Sequence, residues 1–329
     1  MLRTIGMILL GLLVVVLVIV VLLFLPYPTQ STSPAQPATS YEESVARLDA
    51  INEAESELAL YPGCESQLLT HGETTEQVGV LFHGYRTCPT QFMALAEQRH
   101  EMGFIVFLPR MPQMGLEARP NEQHGQLTAG ELVEYGTEAL DIAQGLGDHV
   151  TVAGLSAGGL MTAWAVQYRD DVDHAVIISP FLAPQFLPDA FHRAAANFYQ
   201  VMPNQFVWQD AELQENVPNP PQVYPRNATR ALSEFMQLGY EIRRDARQKA
   251  PTSDSVIFIT NAADGAVDLD PIDELIDSWQ SQGYESIIEY HFEEELELDH
   301  DLIDPLHPNQ KVEISYPVLL DHLVVDPKE

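Results

Sequence analysis

The chain opens on residues 5–25, where every position is apolar or glycine. That length matches the roughly 20 residues a helix needs to cross the hydrocarbon core of a bilayer. The run is longer than the apolar core of a typical signal peptide, and no Ala-x-Ala follows directly, so it favours an uncleaved anchor, with a signal peptide as the alternative. Arg3 precedes the run, while Glu42 and Glu43 come before the next base, Arg47. Basic flanks stay inside, which places the N-terminus in the cytoplasm and the rest of the chain outside. Residues 26–40, PYPTQSTSPAQPATS, have no core-forming pattern and read as a tether. The folded domain is expected over residues 41–329.

Beyond the tether, short continuous apolar runs alternate with segments of helical spacing. The runs VGVLFHGY (78–85), FIVFLPRMP (104–112), HVTVAGLS (149–156), AVIISP (175–180), SVIFITNAAD (255–264) and SIIEYHFEE (286–294) read as strands. Between them, helices are predicted over 89–103, 128–147, 158–170 and 271–283. The second opens on a Thr-x-x-Glu capping box, Thr128 and Glu131. Strands apolar on both faces, separated by helices, predict a mostly parallel, doubly wound sheet covered on both sides. Residues 182–253 break this rhythm. They lack a strong strand and are rich in Pro and aromatics, with helical pieces, and more than seventy residues are too many for a bare loop. They predict an inserted helical cap.

Charge narrows the function. The chain carries 48 acidic residues against 16 basic ones, three of them lysines (Lys249, Lys311 and Lys328), for a net charge of −32. Such a field repels nucleic acid, which excludes that class of partner. The acids are spread along the chain, as on a solubilised surface, and not spaced as cation ligands. The two cysteines, Cys64 and Cys88, form no CxxC motif. An extracytoplasmic domain would permit them to pair.

In an open parallel sheet the chemistry sits beyond the carboxyl ends of the strands. Those ends carry His83-Gly84-Tyr85, then Gly154-Leu155-Ser156-Ala157-Gly158, then Asp264, then Asp299-His300-Asp301. A Gly-x-Ser-x-Gly turn between strand and helix holds its serine at a strained tip, and its glycines, Gly154 and Gly158, remove side chains that would collide with neighbouring backbone. The helix behind it aims free N–H groups at a developing anion.

The segments LFHGYRTCPTQF, VAGLSAGG, ITNAADGAVD and LDHDLIDP, in this order, resemble the α/β-hydrolase superfamily, more narrowly a bacterial group of esterase- or lipase-like serine hydrolases. The resemblance runs from about residue 61 onward. It implies an α/β-hydrolase fold with the helical cap, and Ser156 as nucleophile, His300 as general base and Asp264 as its orienting acid. It further implies an oxyanion hole from the backbone N–H groups of Ala157 and Tyr85. The substrate expected is a small-molecule carboxylic ester, with the cap aromatics Phe181, Phe186, Phe198, Phe206 and Trp208 offering apolar surface for an acyl chain. Packing of cap on core accounts for those aromatics equally well.

Asp268 stands four residues past Asp264 and competes for the acid role, but as a helix-capping residue it has another use. His83 is expected to shape its loop, and His124 and the other histidines to lie at the surface or in satisfied packing. Phosphate-cradling and zinc-binding motifs do not occur in the sequence, so no cofactor or metal is expected. Two alternatives use the same features: an acyltransferase with the same triad, and a catalytically silent scaffold held at the envelope.

Overall fold

A computed structural model of the protein describes residues 2–117, 120–209 and 222–323. Lys328, among the three lysines, lies outside them, as does the segment 210–221 of the expected cap. The strands are β1 (Gln67–Leu69), β2 (Thr75–Phe82), β3 (Ile105–Leu108), β4 (Gly147–Leu155), β5 (His174–Ile178), β6 (Phe206–Trp208), β7 (Arg226–Ala228), β8 (Ser255–Asn261) and β9 (Ile287–Phe292). The helices are α1 (Leu2–Leu23), α2 (Tyr41–Ser56), α3 (Met93–Glu101), α4 (Ala129–Ala143), α5 (Ala157–Tyr168), α6 (Asp189–Val201), α7 (Thr229–Ala246), α8 (Asp270–Ser281) and α9 (Val312–Leu323).

Seven strands form one sheet in the order β1-β3-β2-β4-β5-β8-β9, parallel throughout except for β1, which runs antiparallel on the edge. Alternation along each strand splits the apolar side chains between two cores. Val80, Phe107, Val152, Ile177 and Phe258 face one side, where α4, α5, α7 and α8 pack. Leu81, Val106, Ala153, Val176 and Ile257 face the other, under α3 and α9. This two-sided burial is why the strands read as unbroken apolar runs. The register pairs Phe82 with Gly154, Leu155 with Ile178, and Asn261 with Phe292. The strands therefore end together, and the loops leaving them emerge on one rim.

The Thr128–Glu131 capping box forms and opens α4. Pro109 stands one residue past the end of β3, so the strand expected to reach residue 112 stops at Leu108. Within the expected cap, α6 and the β6–β7 pair lie over the rim, but α7 does not stand apart. Its Phe235, Leu238 and Ile242 are fully buried in the same core as α5 and α8. The segment 26–40 has neither helix nor strand, yet it lies along the domain: Trp164 Nε1 donates to Ser31 O, and Ala38 N to Asp141 O. Residues 4–23 of α1 make up one helix long and apolar enough to cross a membrane, and none of it is buried by the domain.

Candidate active site

Ser156 comes directly after β4 and precedes α5. Its backbone takes φ +60° and ψ −114°, in the region that L side chains rarely adopt. The strain is held from several sides. Ser156 N donates to Ile178 O, and Ser156 O accepts from Leu160 N and Phe181 N. A side chain at Gly154 would strike the backbone of Gly158, and one at Gly158 would strike the carbonyls of Phe82 and His83. The two glycines let the turn close against β2, so that the hydroxyl stands at the tip over the N-terminus of α5.

Two backbone N–H groups of the loops leaving β2 and β4 are without an acceptor. Neither Tyr85 N nor Ala157 N has an acceptor among the described residues. The loop that carries Tyr85 is fixed by the preceding residues. His83 is fully buried, its Nδ1 bonded to Gly84 O at 2.8 Å and its Nε2 accepting from Met111 N at 2.9 Å. Burial pushes its pKa down to about 4, against the Gly84 carbonyl that opposes the shift. His83 is thus a neutral brace with both nitrogens in use. Cys64 and Cys88 are joined in a disulfide that ties the segment before β1 to the end of this loop. Gly115, at φ +77°, passes beside both cysteines where a Cβ would collide.

The basic partner comes from the far side of the sheet. His300 Nδ1 lies 2.6 Å from Asp264 Oδ2, which leaves Nε2 free to act as a base. Asp264 is buried, and its other oxygen accepts from Ala266 N at 2.8 Å. Burial would raise the Asp264 pKa, but the hydrogen bond and charge of His300, with the N–H groups of Ala266 and Val267, outweigh it and hold the carboxyl below its ordinary value. Burial would lower the His300 pKa; Asp264, then Asp301 and Asp299, reverse that and raise it. The His300 side chain keeps 23% of its surface exposed, so the ring is reachable from outside. Asp268 does not approach it: its Oδ1 accepts from Asp270 N at the start of α8, and its Oδ2 lies 3.5 Å from His192 Nε2.

One residue that sequence reasoning misses connects the two halves. Gln91 Oε1 accepts from Gly84 N at 2.7 Å, while its Nε2 donates to Asp301 Oδ2 at 2.8 Å. Gly84 in turn lies against Leu155 O, the residue before Ser156. The loops carrying Tyr85, Ser156 and His300 are therefore linked in one short chain of contacts. Among the described residues no hydrogen bond joins Ser156 Oγ to His300, whose Nδ1 is taken by Asp264. A glutamine after a Pro-Thr pair gives no signal in one sequence, because its two partners are brought to it only by folding.

His124, expected at the surface or in packing, lies in packing. It is buried, ringed by Tyr85, Phe206 and Tyr224, with its pKa pushed to about 4 by burial and by the Arg86 and Arg226 cations. The Tyr85 hydroxyl accepts from Ala228 N and so pins β7 over the loop. Of the cap aromatics, Phe206 and Trp208 turn inward in part, but Phe186 is 76% exposed and Phe198 44%. Those two stand exposed and are not buried between cap and core.

The model of a family described as "Alpha/beta hydrolase family" matches residues 80–312. Among solved structures, one of the metagenome-derived lipolytic enzymes LipS and LipT superposes with a TM-score of 0.59 at 17% identity, covering 80% of this chain and 98% of that one. A soluble variant of the monoglyceride lipase of Saccharomyces cerevisiae gives 0.56 at 12% identity, covering 79% and 92%. The monoacylglycerol lipase of Paleococcus ferrophilus gives 0.52 at 15%, covering 80% and 98%. At such identities the likeness is one of fold. No curated protein matches the chain in sequence.

Proposed function

The chain belongs to the α/β-hydrolase family, and from that premise we propose that it is a serine hydrolase of carboxylic esters, held at a membrane by α1. The observation that carries the reading is the strained Ser156 on the same sheet rim as a His300–Asp264 pair 2.6 Å apart.

In this reading Ser156 Oγ attacks the ester carbonyl carbon as His300 Nε2 takes its proton. The carbonyl oxygen gains negative charge and moves between Tyr85 N–H and Ala157 N–H. Fixed donors of this kind each lower the barrier by about 3 kcal/mol. The imidazolium is stabilised by buried Asp264, which also holds the proton on Nδ1. His300 then protonates the leaving alcohol, and an acyl group remains on Ser156. A water, deprotonated by the same ring, releases the acid and restores the serine. The lipolytic activities named for the structural relatives fit this chemistry, though they belong to those proteins. The long apolar run of α1, with Arg3 before that run and acids after the tether, supports a single-pass anchor with the N-terminus inside and the hydrolase domain outside.

The test is labelling of the purified chain by a fluorophosphonate, with turnover of p-nitrophenyl esters of increasing chain length. The wild type should label and turn over, and Ser156→Ala should do neither while keeping the wild-type melting temperature. A wild type that does not label would end the proposal.

A further inference from the structure

Helix α6 is amphipathic the wrong way round for a soluble cap. Its domain-facing side carries His192, Asn197 and Gln200, all buried and hydrogen-bonded, together with Ala196. Its outward side carries Phe191, Phe198, Val201 and then Met202, with exposures of 55%, 44%, 70% and 42%. Phe186, just before the helix, adds the most exposed aromatic of the group. Spaced at i, i+7 and i+10, these residues form one stripe along the helix. An apolar stripe of this kind turned to water is a contact surface without its partner.

Two further observations name that partner. Asn197 Nδ2 donates to both Leu23 O and Leu25 O, at 2.8 Å each. These are the last carbonyls of the apolar run, so α6 is bound at the level where α1 would leave the bilayer. Phe24 and Tyr27 stand exposed at the same level, as interfacial aromatics do. The charge pattern agrees. Residues 185–209 contain a single acid, Asp189, where the chain's average density would place about four. The acidic surface is interrupted over the one segment that carries the apolar stripe.

We propose that α6 lies in the headgroup–acyl boundary of the same bilayer that α1 spans, with Phe191, Phe198 and Val201 inserted. The inference rests on the reading of α1 as a membrane anchor. It also places the reaction site. His192 at the start of α6 touches Asp268, four residues beyond Asp264, and Gln185 N bonds Ala266 O. The inserted helix thus adjoins the loop of the catalytic acid, and an ester dissolved in the bilayer reaches the rim beside α6 without crossing water. The substrate class implied is a bilayer-resident acyl ester.

The two cysteines are paired, so a single added cysteine takes a spin label uniquely. Phe191→Cys, Phe198→Cys, Val14→Cys on α1 and exposed Glu285→Cys at the opposite end of the sheet would each be labelled. The full-length chain would be placed at one copy per phosphatidylcholine nanodisc. Labels at 191, 198 and 14 should relax with dissolved oxygen and resist water-soluble nickel chelate, while the label at 285 should do the reverse. Nickel access at 198 equal to that at 285 would overturn the proposal, and so would shielding of 198 from both reagents, since protein and not lipid would then cover it. Nickel access at both 14 and 198 would overturn the anchor with it. None of these readouts needs turnover, so they stand apart from the fate of the hydrolase reading. In a second arm, Phe191→Asp/Phe198→Asp should slow hydrolysis of a long-chain ester in the nanodisc by about tenfold or more and leave a soluble butyrate ester unchanged. An unchanged rate on the bilayer ester would overturn the assigned route of the substrate.

Discussion

Asp264 and Asp299 both lie near His300, and the structure gives them separable parts. Asp264 Oδ2 lies 2.6 Å from His300 Nδ1, so Asp264→Asn presents an amide to the ring and favours the other tautomer. Steady-state kinetics should show kcat down by about 10⁴-fold, with labelling by fluorophosphonate slowed in parallel. Asp299 bonds His300 through its backbone N alone, at 2.7 Å, with its other oxygen accepting from Asn309 Nδ2 at 3.1 Å, and acts on the ring through its charge. Asn at that position keeps an acceptor and loses the charge. The raised His300 pKa should then fall, and since the base must be neutral, the acidic limb of kcat/KM against pH should move to lower pH. The plateau should stay within about twofold of wild type. A profile unmoved by Asp299→Asn would remove that residue from the electrostatics of the site.

At the scale of elements, the turn around Ser156 is the least tolerant part of the fold. A Cβ at Gly158 would have to displace the ends of β2, which are pinned by pairing to β4. Gly158→Ala should therefore cost at least about 3 kcal/mol in urea unfolding, more than helix propensity could return. The disulfide acts on the adjacent loop. Closing a segment of sequence separation 24 stabilises the fold by roughly 3–4 kcal/mol on chain entropy, so reduction should lower the melting temperature and loosen the loop that carries Tyr85. The same physics decides which elements can be read in the sequence. β2, β4, β5 and β8 are legible because burial on both faces makes them continuously apolar. The edge strand β1 and the β6–β7 pair have three residues each, too short for any period to show. Helix α2 buries only Ser44, Leu48 and Glu55, so its apolar signal is faint. Helix α7 is legible as a helix but not as part of the core, since its position between α5 and α8 depends on the crossover of the chain. Ser156 and Asp264 are legible as candidates because each stands within three residues of a strand end, and His300 because it lies in the loop after β9; Gln91 is not, because only folding gives it its neighbours.

For the whole molecule, charge and proton uptake act on stability in the same direction, and one residue allows them to be told apart. A net charge of −32 repels itself in the compact state, so salt should stabilise the fold by screening. Asp304 adds a local cost. It is 1% exposed, its Oδ1 accepts from Leu306 N, its Oδ2 has no partner among the described residues, and burial with the Asp301 charge pushes its pKa up to about 7. Between the unfolded value of 3.8 and about 7 the native state holds a proton that the unfolded chain has lost. Stability from this group therefore falls as pH rises through that window, by up to a few kcal/mol in all. His300, with its raised pKa, contributes in the same sense: its share is full below 6.5 and is lost as pH rises through the folded value. Asp264 opposes both, since its lowered pKa gives stability that is lost only in acid. Asp304→Asn keeps the acceptor for Leu306 N and removes the buried charge. Melting temperature measured from pH 4.5 to 8 should therefore decline less in the variant than in the wild type, with the largest gain at pH 8. Its rise with added sodium chloride at pH 8 should persist, because the repulsion across the surface is untouched. A variant less stable than wild type at pH 8 would mean that the ionised carboxylate is held by a partner and is not a cost to the fold.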